Sequence, residues 1–140
     1  MKRIANIFLD SNIVIYTYSN NCVDKQQKAK QLFAEKAVTI STQVLQETAN
    51  TLHKKFKADF NTIGLLLEEC VRNANSLHVN TQKTVFKACN IAEVYRFSFY
   101  DSLIIAAALE ADCQVLYSED MHHNQLIEGT LKIINPFNIS

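Results

Sequence analysis

Short apolar runs alternate along the chain with longer segments of helical periodicity, and this alternation constrains the fold more than any other feature. The runs are too short and too apolar to form strands that face water on one side. We predict strands over residues 4–9, 37–40, 77–79, 114–117 and 131–134. We predict helices over residues 13–18, 23–36, 42–57, 59–75, 81–96, 103–109 and 120–127.

This order of elements is typical of an α/β fold, in which a short parallel sheet is flanked by helices on both faces. No linker, repeat or low-complexity stretch divides the 140 residues, so we predict a single domain over residues 1–140. Ligands of open α/β sheets bind outside the carboxyl ends of the strands. The residues that directly follow each strand are therefore the first candidates for a functional site.

The charge balance argues against nucleic-acid binding by bulk charge, and the glycine content excludes a glycine-rich phosphate loop. Lys and Arg number 14 and Asp and Glu number 14, so the net charge is zero. Binding of nucleic acid by bulk positive charge is disfavoured, whereas a local basic groove remains possible. The two glycines, Gly64 and Gly129, stand alone, so the chain has no glycine-rich phosphate loop.

The four cysteines are too far apart for a zinc site or a redox pair, because no C-x-x-C motif is present. We interpret them as buried free thiols in a reducing compartment. The apolar start of the chain is interrupted by Asp10 and Asn12 before it reaches the length of a signal peptide, and no run is long enough to cross a membrane. These features predict a soluble, cytoplasmic protein.

Four acidic residues occupy positions near the ligand-binding edge of the predicted sheet. Asp10 and Asp120 follow strands, Asp101 lies in the first turn of the most apolar helix, and Glu47 borders the apolar stripe of the helix after the second strand. Each has an ordinary structural explanation as a helix cap or a solvated residue, and Ser98 with Asp101 fits a capping box. Carboxylates gathered at one edge repel, however, and a divalent cation such as Mg²⁺ or Mn²⁺ removes that cost.

Four segments together resemble the PIN-domain ribonucleases, and in particular the VapC toxins of bacterial toxin–antitoxin pairs. Their order and spacing match over nearly the whole chain, whereas no single segment is specific. The segments are Phe8-Leu9-Asp10-Ser11-Asn12, Ile40-Ser41-Thr42-Gln43-Val44-Leu45-Gln46-Glu47, Phe99-Tyr100-Asp101-Ser102-Leu103-Ile104-Ile105-Ala106-Ala107-Ala108, and Leu116-Tyr117-Ser118-Glu119-Asp120-Met121 with Ile134-Asn135-Pro136-Phe137.

The resemblance implies a PIN-like three-layer fold with strand order 3-2-1-4-5. It implies Mg²⁺- or Mn²⁺-dependent cleavage of RNA, a homodimer, and a small antitoxin protein as partner. It also implies which residues form the site: the metal-binding and catalytic carboxylates are Asp10, Glu47, Asp101 and Asp120, and their polar support comes from Asn12 and Ser118.

RNA also needs basic and aromatic partners around an acidic site. Lys54, Lys55 and Lys57 at the end of the Glu47 helix are candidate RNA contacts, and an ordinary solvated face explains them equally well. The family often has a glycine shortly after the fourth segment, where this chain has His122-His123-Asn124. We interpret both histidines as surface residues rather than ligands. Five aromatic residues could stack on bases or could belong to the core: Tyr16, Tyr18, Phe97, Phe99 and Tyr100.

Two other functions fit parts of the pattern. A phosphatase of the haloacid-dehalogenase type also has an acidic residue after its first strand, but it needs a second aspartate two positions later, where this chain has Asn12. A catalytically silent PIN-like module that binds RNA or protein is the alternative to a nuclease. The four intact carboxylates disfavour it.

Overall fold

The computed structural model describes residues 6–138. The strands are β1 Asn6–Leu9, β2 Ala37–Ser41, β3 Ser76–His78, β4 Val115–Tyr117, β5 Leu126–Ile127 and β6 Leu131–Ile134. The helices are α1 Ser11–Tyr16, α2 Val23–Glu35, α3 Thr42–Lys54, α4 Phe60–Asn73, α5 Gln82–Tyr95 and α6 Phe99–Glu110. The α/β class predicted from the sequence is confirmed. Residues 4 and 5 of the first predicted strand lie outside the described residues.

One sheet of six strands runs in the order β3-β2-β1-β4-β6-β5. The first four pairings are parallel, and only β5 is antiparallel to its neighbour β6. The predicted order 3-2-1-4-5 therefore holds for the five predicted strands, since the fifth of them is β6. The structure adds β5 at the outer edge.

The helix predicted over residues 120–127 is wrong. Residues 120–125 are irregular, and β5 pairs with β6 through a tight turn in which Glu128 and Gly129 both have positive φ. The Asn124 N–H donates to the Ile133 carbonyl at 2.7 Å and the Ile133 N–H donates to the Gln125 carbonyl at 2.9 Å, so this segment pairs with β6 instead of forming a helix. Tertiary pairing overrides the local helical pattern here.

The helices form two layers because the order in which strands are added across the sheet reverses after β3, when the chain returns past β2 and β1 to β4. Helices α1 to α4 connect β1, β2 and β3 and pack against one another, whereas α5 and α6 pack together on the way back to β4. Because crossovers between parallel strands are almost always right-handed, this reversal of strand order puts the two groups on opposite faces of the sheet. The core between the layers includes the central strands and α6, whose residues 102–108 are all buried.

The reversal also makes β1 and β4 neighbours. The Asp10 N–H donates to the Tyr117 carbonyl at 3.0 Å, and the Ser118 N–H donates to the Ile134 carbonyl at 3.0 Å, so the ladder continues past the ends of β1 and β4. Neighbouring strands whose connections leave in opposite directions open a crevice at their carboxyl ends. The fold therefore provides a binding site where Asp10, Ser118 and Asp120 emerge.

None of the helices formed by residues 6–138 is long and apolar enough to cross a membrane.

Candidate active site

A cavity of about 750 Å³ opens at this crevice. All four carboxylates singled out by the sequence line it: Asp10, Glu47, Asp101 and Asp120. They come from the end of β1, from α3, from the first turn of α6 and from the segment after β4. Elements far apart in the sequence therefore bring their acidic side chains to one place.

Asp10 forms the buried floor of the cavity and also begins α1 as its N-cap. Its Oδ1 accepts a hydrogen bond from the Ser11 N–H at 2.7 Å, and its Oδ2 accepts one from the Ser118 Oγ at 2.8 Å. Burial raises the pKa of Asp10 to about 7, because the repulsion from Glu47 and Asp101 adds to desolvation and outweighs the two hydrogen bonds. The fold thus keeps a carboxylate where its negative charge is costly.

Glu47 is held at the cavity by two neutral donors. The Ser11 Oγ donates to Glu47 Oε1 at 2.9 Å, and the Gln43 Nε2 donates to Glu47 Oε2 at 3.0 Å. The same Gln43 nitrogen lies 3.1 Å from the carbonyl of Tyr100, at the start of α6. The buried Gln43 therefore links Glu47 to the helix that carries Asp101, a role that the sequence analysis did not identify.

Asp120 and Asp101 form the outer part of the acidic site. The Asn12 Nδ2 donates to Asp120 Oδ2 at 3.1 Å, and the Asn12 Oδ1 accepts from the Glu119 N–H at 3.3 Å. Burial raises the pKa of Asp101, with the Asp120 charge adding to the effect and a hydrogen bond with Ser98 opposing it. The Ser98 Oγ accepts from the Asp101 N–H at 3.2 Å, so the predicted cap of α6 is present while the Asp101 side chain lines the cavity.

The donor set suits a hard divalent cation, since carboxylate oxygens are the ligands that Mg²⁺ and Mn²⁺ prefer. Between Asn6 and Asn138, no three acidic, histidine or cysteine side chains lie close enough together to enclose a metal ion. Mg²⁺ commonly binds through one or two carboxylates and keeps several waters, so it does not require a closed protein cage. The raised pKa of buried Asp10 also favours a cation that stabilises its ionised form.

The sequence analysis did not identify one cationic residue that lines the cavity, Lys25. Lys25, in the first turn of α2, forms an ion pair with Glu119, and Tyr16 donates to the other Glu119 oxygen at 2.7 Å. The Lys25 ammonium also lies about 5 Å from the ring centres of Tyr16 and Phe137, at 5.1 and 5.2 Å. Partial burial opposes ionisation of Glu119, but the hydrogen bonds from Lys25 and Tyr16 prevail and lower its pKa.

The remaining candidates divide between the cavity and the rest of the surface. Lys55 lines the cavity, whereas Lys54 and Lys57 do not, and α3 ends at Lys54 instead of near Lys57 as predicted.

His123 accepts a hydrogen bond from the Asn135 N–H at 2.9 Å, and His122 is exposed. Cys70 and Cys113 are buried as predicted, but Cys22 is half-buried and Cys89 is exposed, so the prediction of four buried thiols is wrong for those two.

The PIN domain family model matches residues 7–127 of this chain. That range contains all four carboxylates that line the cavity. A comparison with curated protein sequences finds no significant match.

Several solved structures share the fold at low sequence identity. The toxin–antitoxin complex from Klebsiella pneumoniae superposes with a TM-score of 0.69 at 19% identity, covering 95% of this chain and 99% of that one. VapC20 from Mycobacterium tuberculosis, described as a sarcin–ricin loop cleaving toxin, gives 0.64 at 21% identity over 81% and 89%. FitAcB from Neisseria gonorrhoeae gives 0.65 at 13% identity over 95% and 99%.

Proposed function

Because this chain belongs to the PIN-domain family, we propose that it is a Mg²⁺- or Mn²⁺-dependent endoribonuclease and the toxin of a toxin–antitoxin pair. Its fold is similar to a toxin described as cleaving the sarcin–ricin loop and to toxins solved as toxin–antitoxin complexes. The first of these neighbours supports RNA as the substrate class, and the others support a protein partner.

One observation carries the proposal: four carboxylates line a single cavity at the carboxyl end of the parallel sheet. Within residues 6–138 none of the four forms an ion pair with Lys, Arg or His. Asp10 is buried and Glu47 and Asp101 are half-buried, and such carboxylates are costly to ionise without a cation, whereas Asp120 is exposed. A metal ion at this place provides the missing positive charge.

Hydrolysis of RNA breaks a P–O ester bond after attack by water on the phosphorus atom. When bound, Mg²⁺ or Mn²⁺ would lower the pKa of the attacking water and neutralise the charge that develops on the phosphate. The residues of this chain supply position. Asp10 is fixed by Ser11 and Ser118, Glu47 by Ser11 and Gln43, and Asp120 by Asn12. No side-chain nucleophile is required.

The substrate and the protein partner use the surface around this cavity. We assign Lys55 to the RNA backbone, because it lines the cavity, and Lys54 and Lys57 to more distant phosphates. An arginine from the C-terminal segment of the antitoxin would pair with the unpaired carboxylates, since bidentate guanidinium–carboxylate contacts are strong. We also propose that the toxin is a homodimer.

The test is cleavage of single-stranded RNA by the purified protein. We expect activity with Mg²⁺ or Mn²⁺, loss of activity in EDTA, and recovery when the metal is returned in excess. RNA binding without cleavage under all metal conditions would favour the silent PIN-like module. Full activity in EDTA would instead indicate a metal-free ribonuclease that uses histidine as acid and base.

A further inference from the structure

A second cavity, of about 350 Å³, begins where the acidic one ends. Asp101 and Asp120 line both cavities, so these two carboxylates stand between them. The two spaces are therefore adjacent at the outer half of the acidic site. A chain molecule bound at the carboxylates would extend into the smaller cavity on one side.

The walls of the smaller cavity are aromatic and held in place. Tyr95 and Phe97, from the end of α5 and the link to α6, line it while packing against the core. The Tyr95 hydroxyl accepts a hydrogen bond from the Glu128 N–H at 2.9 Å, which fixes the ring relative to the β5–β6 turn. Rigid, partly exposed rings provide stacking surfaces at little cost in conformational entropy.

The same cavity presents two nitrogen-rich planar side chains, Arg96 and His122. The Arg96 side chain is 81% exposed, and its ion pair with Glu93, at 3.5 Å, joins two exposed groups. Such exposed pairs are weak, so the guanidinium is free to change partner. Arg96 ends α5 with φ of 66°, in the left-handed region. His122 is also exposed, in contrast to His123 beside it, which accepts from the backbone of Asn135.

We propose that this smaller cavity binds one unpaired nucleobase of single-stranded RNA, next to the acidic site at Asp101 and Asp120. The inference rests on the proposed function and names the form of the substrate. Flat rings, a guanidinium and an imidazole are the groups on which splayed RNA bases stack. A base inside a duplex cannot enter, because it must leave its stack to reach Tyr95, Phe97 and Arg96.

The experiment compares a short single-stranded RNA with copies that each lack the base at one position, taken in turn along the strand. Binding is measured by fluorescence anisotropy with Mg²⁺ in the Asp10→Asn background, in which we expect little cleavage, and kcat/KM is then measured in the parent background. For Arg96→Gln and His122→Ala we expect roughly tenfold weaker binding of the intact RNA. The variants should not weaken binding of one of the abasic RNAs any further, because its base is already missing.

Arg96→Lys and Arg72→Gln are the matched controls. Both substitutions of Arg96 keep a side chain at this left-handed backbone position. Arg72, on α4, lines neither cavity, and Arg72→Gln removes the same unit of positive charge as Arg96→Gln. The proposal is overturned if Arg96→Gln binds like Arg72→Gln. It is equally overturned if Arg96→Gln weakens intact and abasic RNAs by the same factor, since the guanidinium then contacts phosphate. Base-dependent binding without any cleavage would contradict the nuclease proposal and leave the base site standing.

Discussion

Asp10 and Glu119 line the same cavity but have opposite electrostatic surroundings. Burial raises the pKa of Asp10 to about 7, and two neighbouring carboxylates, Glu47 and Asp101, add to that effect. The pKa of Glu119 is lowered, because Lys25 and Tyr16 overcome its partial burial. Glu119 already has a cation from its own chain, whereas the hydrogen-bond donors to Asp10 within residues 6–138 are neutral.

The difference shows that acidic residues at a cavity are not equivalent ligand candidates. Glu119 and Asp120 are adjacent in sequence, yet Glu119 pairs with Lys25 while Asp120 accepts from the neutral Asn12 amide. A side chain whose charge is already neutralised has little to gain from a metal. The carboxylates that have no ion pair within residues 6–138, Asp10 among them, are the ones that a metal would stabilise.

The largest effect is expected from Asp10→Asn. The substitution keeps the size of the side chain and removes the negative charge at the floor of the cavity, so RNA cleavage should fall by roughly 100-fold or more. Circular dichroism should show an unchanged fold. A variant that cleaves RNA like the parent would show that the assigned centre is wrong.

A second prediction separates the two roles of Asp101. Asp101→Asn should lose most RNA cleavage, also roughly 100-fold, with little loss of thermal stability, because the backbone N–H that Ser98 caps is retained. Ser98→Ala is the control: it removes the cap and should cost about 0.5–2 kcal/mol while leaving the carboxylate in place. Turnover and the thermal midpoint decide between them. Equal losses of activity in the two variants would mean that the site requires the start of the helix rather than the carboxylate.

A third prediction concerns pH. The folded pKa of Asp10, about 7, lies above its ordinary value of 3.8, so the folded protein retains a proton that the unfolded chain has released. The metal-free protein should therefore lose stability as the pH rises from 3.8 to about 7, by about 4 kcal/mol at most. Asp10→Asn should lack this dependence and be the more stable protein above the range. Urea denaturation in EDTA measures both, and identical pH profiles would contradict the assignment.

The smallest effects are expected at Glu119. Lys25→Met leaves the carboxylate without its cation and should cost about 1 kcal/mol or less, because the pair is partly exposed. Adding Glu119→Gln should recover part of that loss in a double-mutant cycle. Cleavage by both variants should stay within about tenfold of the parent, as expected for groups that do not bind the proposed metal. If Lys25→Met were as inactive as Asp10→Asn, the contrast between the two carboxylates would fail.

Sequence reasoning succeeded where local pattern and long-range structure agree. The apolar runs placed the five parallel strands, and the ends of β1 and β4 led to Asp10 and Asp120. It failed over residues 120–127, where the pattern is helical but the Ile133 N–H and carbonyl bond to this segment. Local periodicity does not contain that pairing.

The positions of strand ends pointed to carboxylates of the site but not to the residues that surround them. Lys25 is 94 residues from Glu119 in sequence, and Tyr16 is 103 residues from it, so no spacing rule connects them. Gln43 looked like an ordinary residue in the first turn of α3, and its contacts with Glu47 and the Tyr100 carbonyl depend on how two helices pack. Such partners require the tertiary structure.

The hydrogen bond from Ser118 to Asp10 joins residues 108 positions apart, so the site can form only late in protein synthesis. Asp10 leaves the ribosome early, but β1 lacks its neighbour β4 until residues 115–117 have been made. Contacts between distant parts of a chain form late, because a long loop must close first. A growing chain that ends before Ser118 and Asp120 therefore has no complete acidic centre, and the same holds for a product truncated at that point.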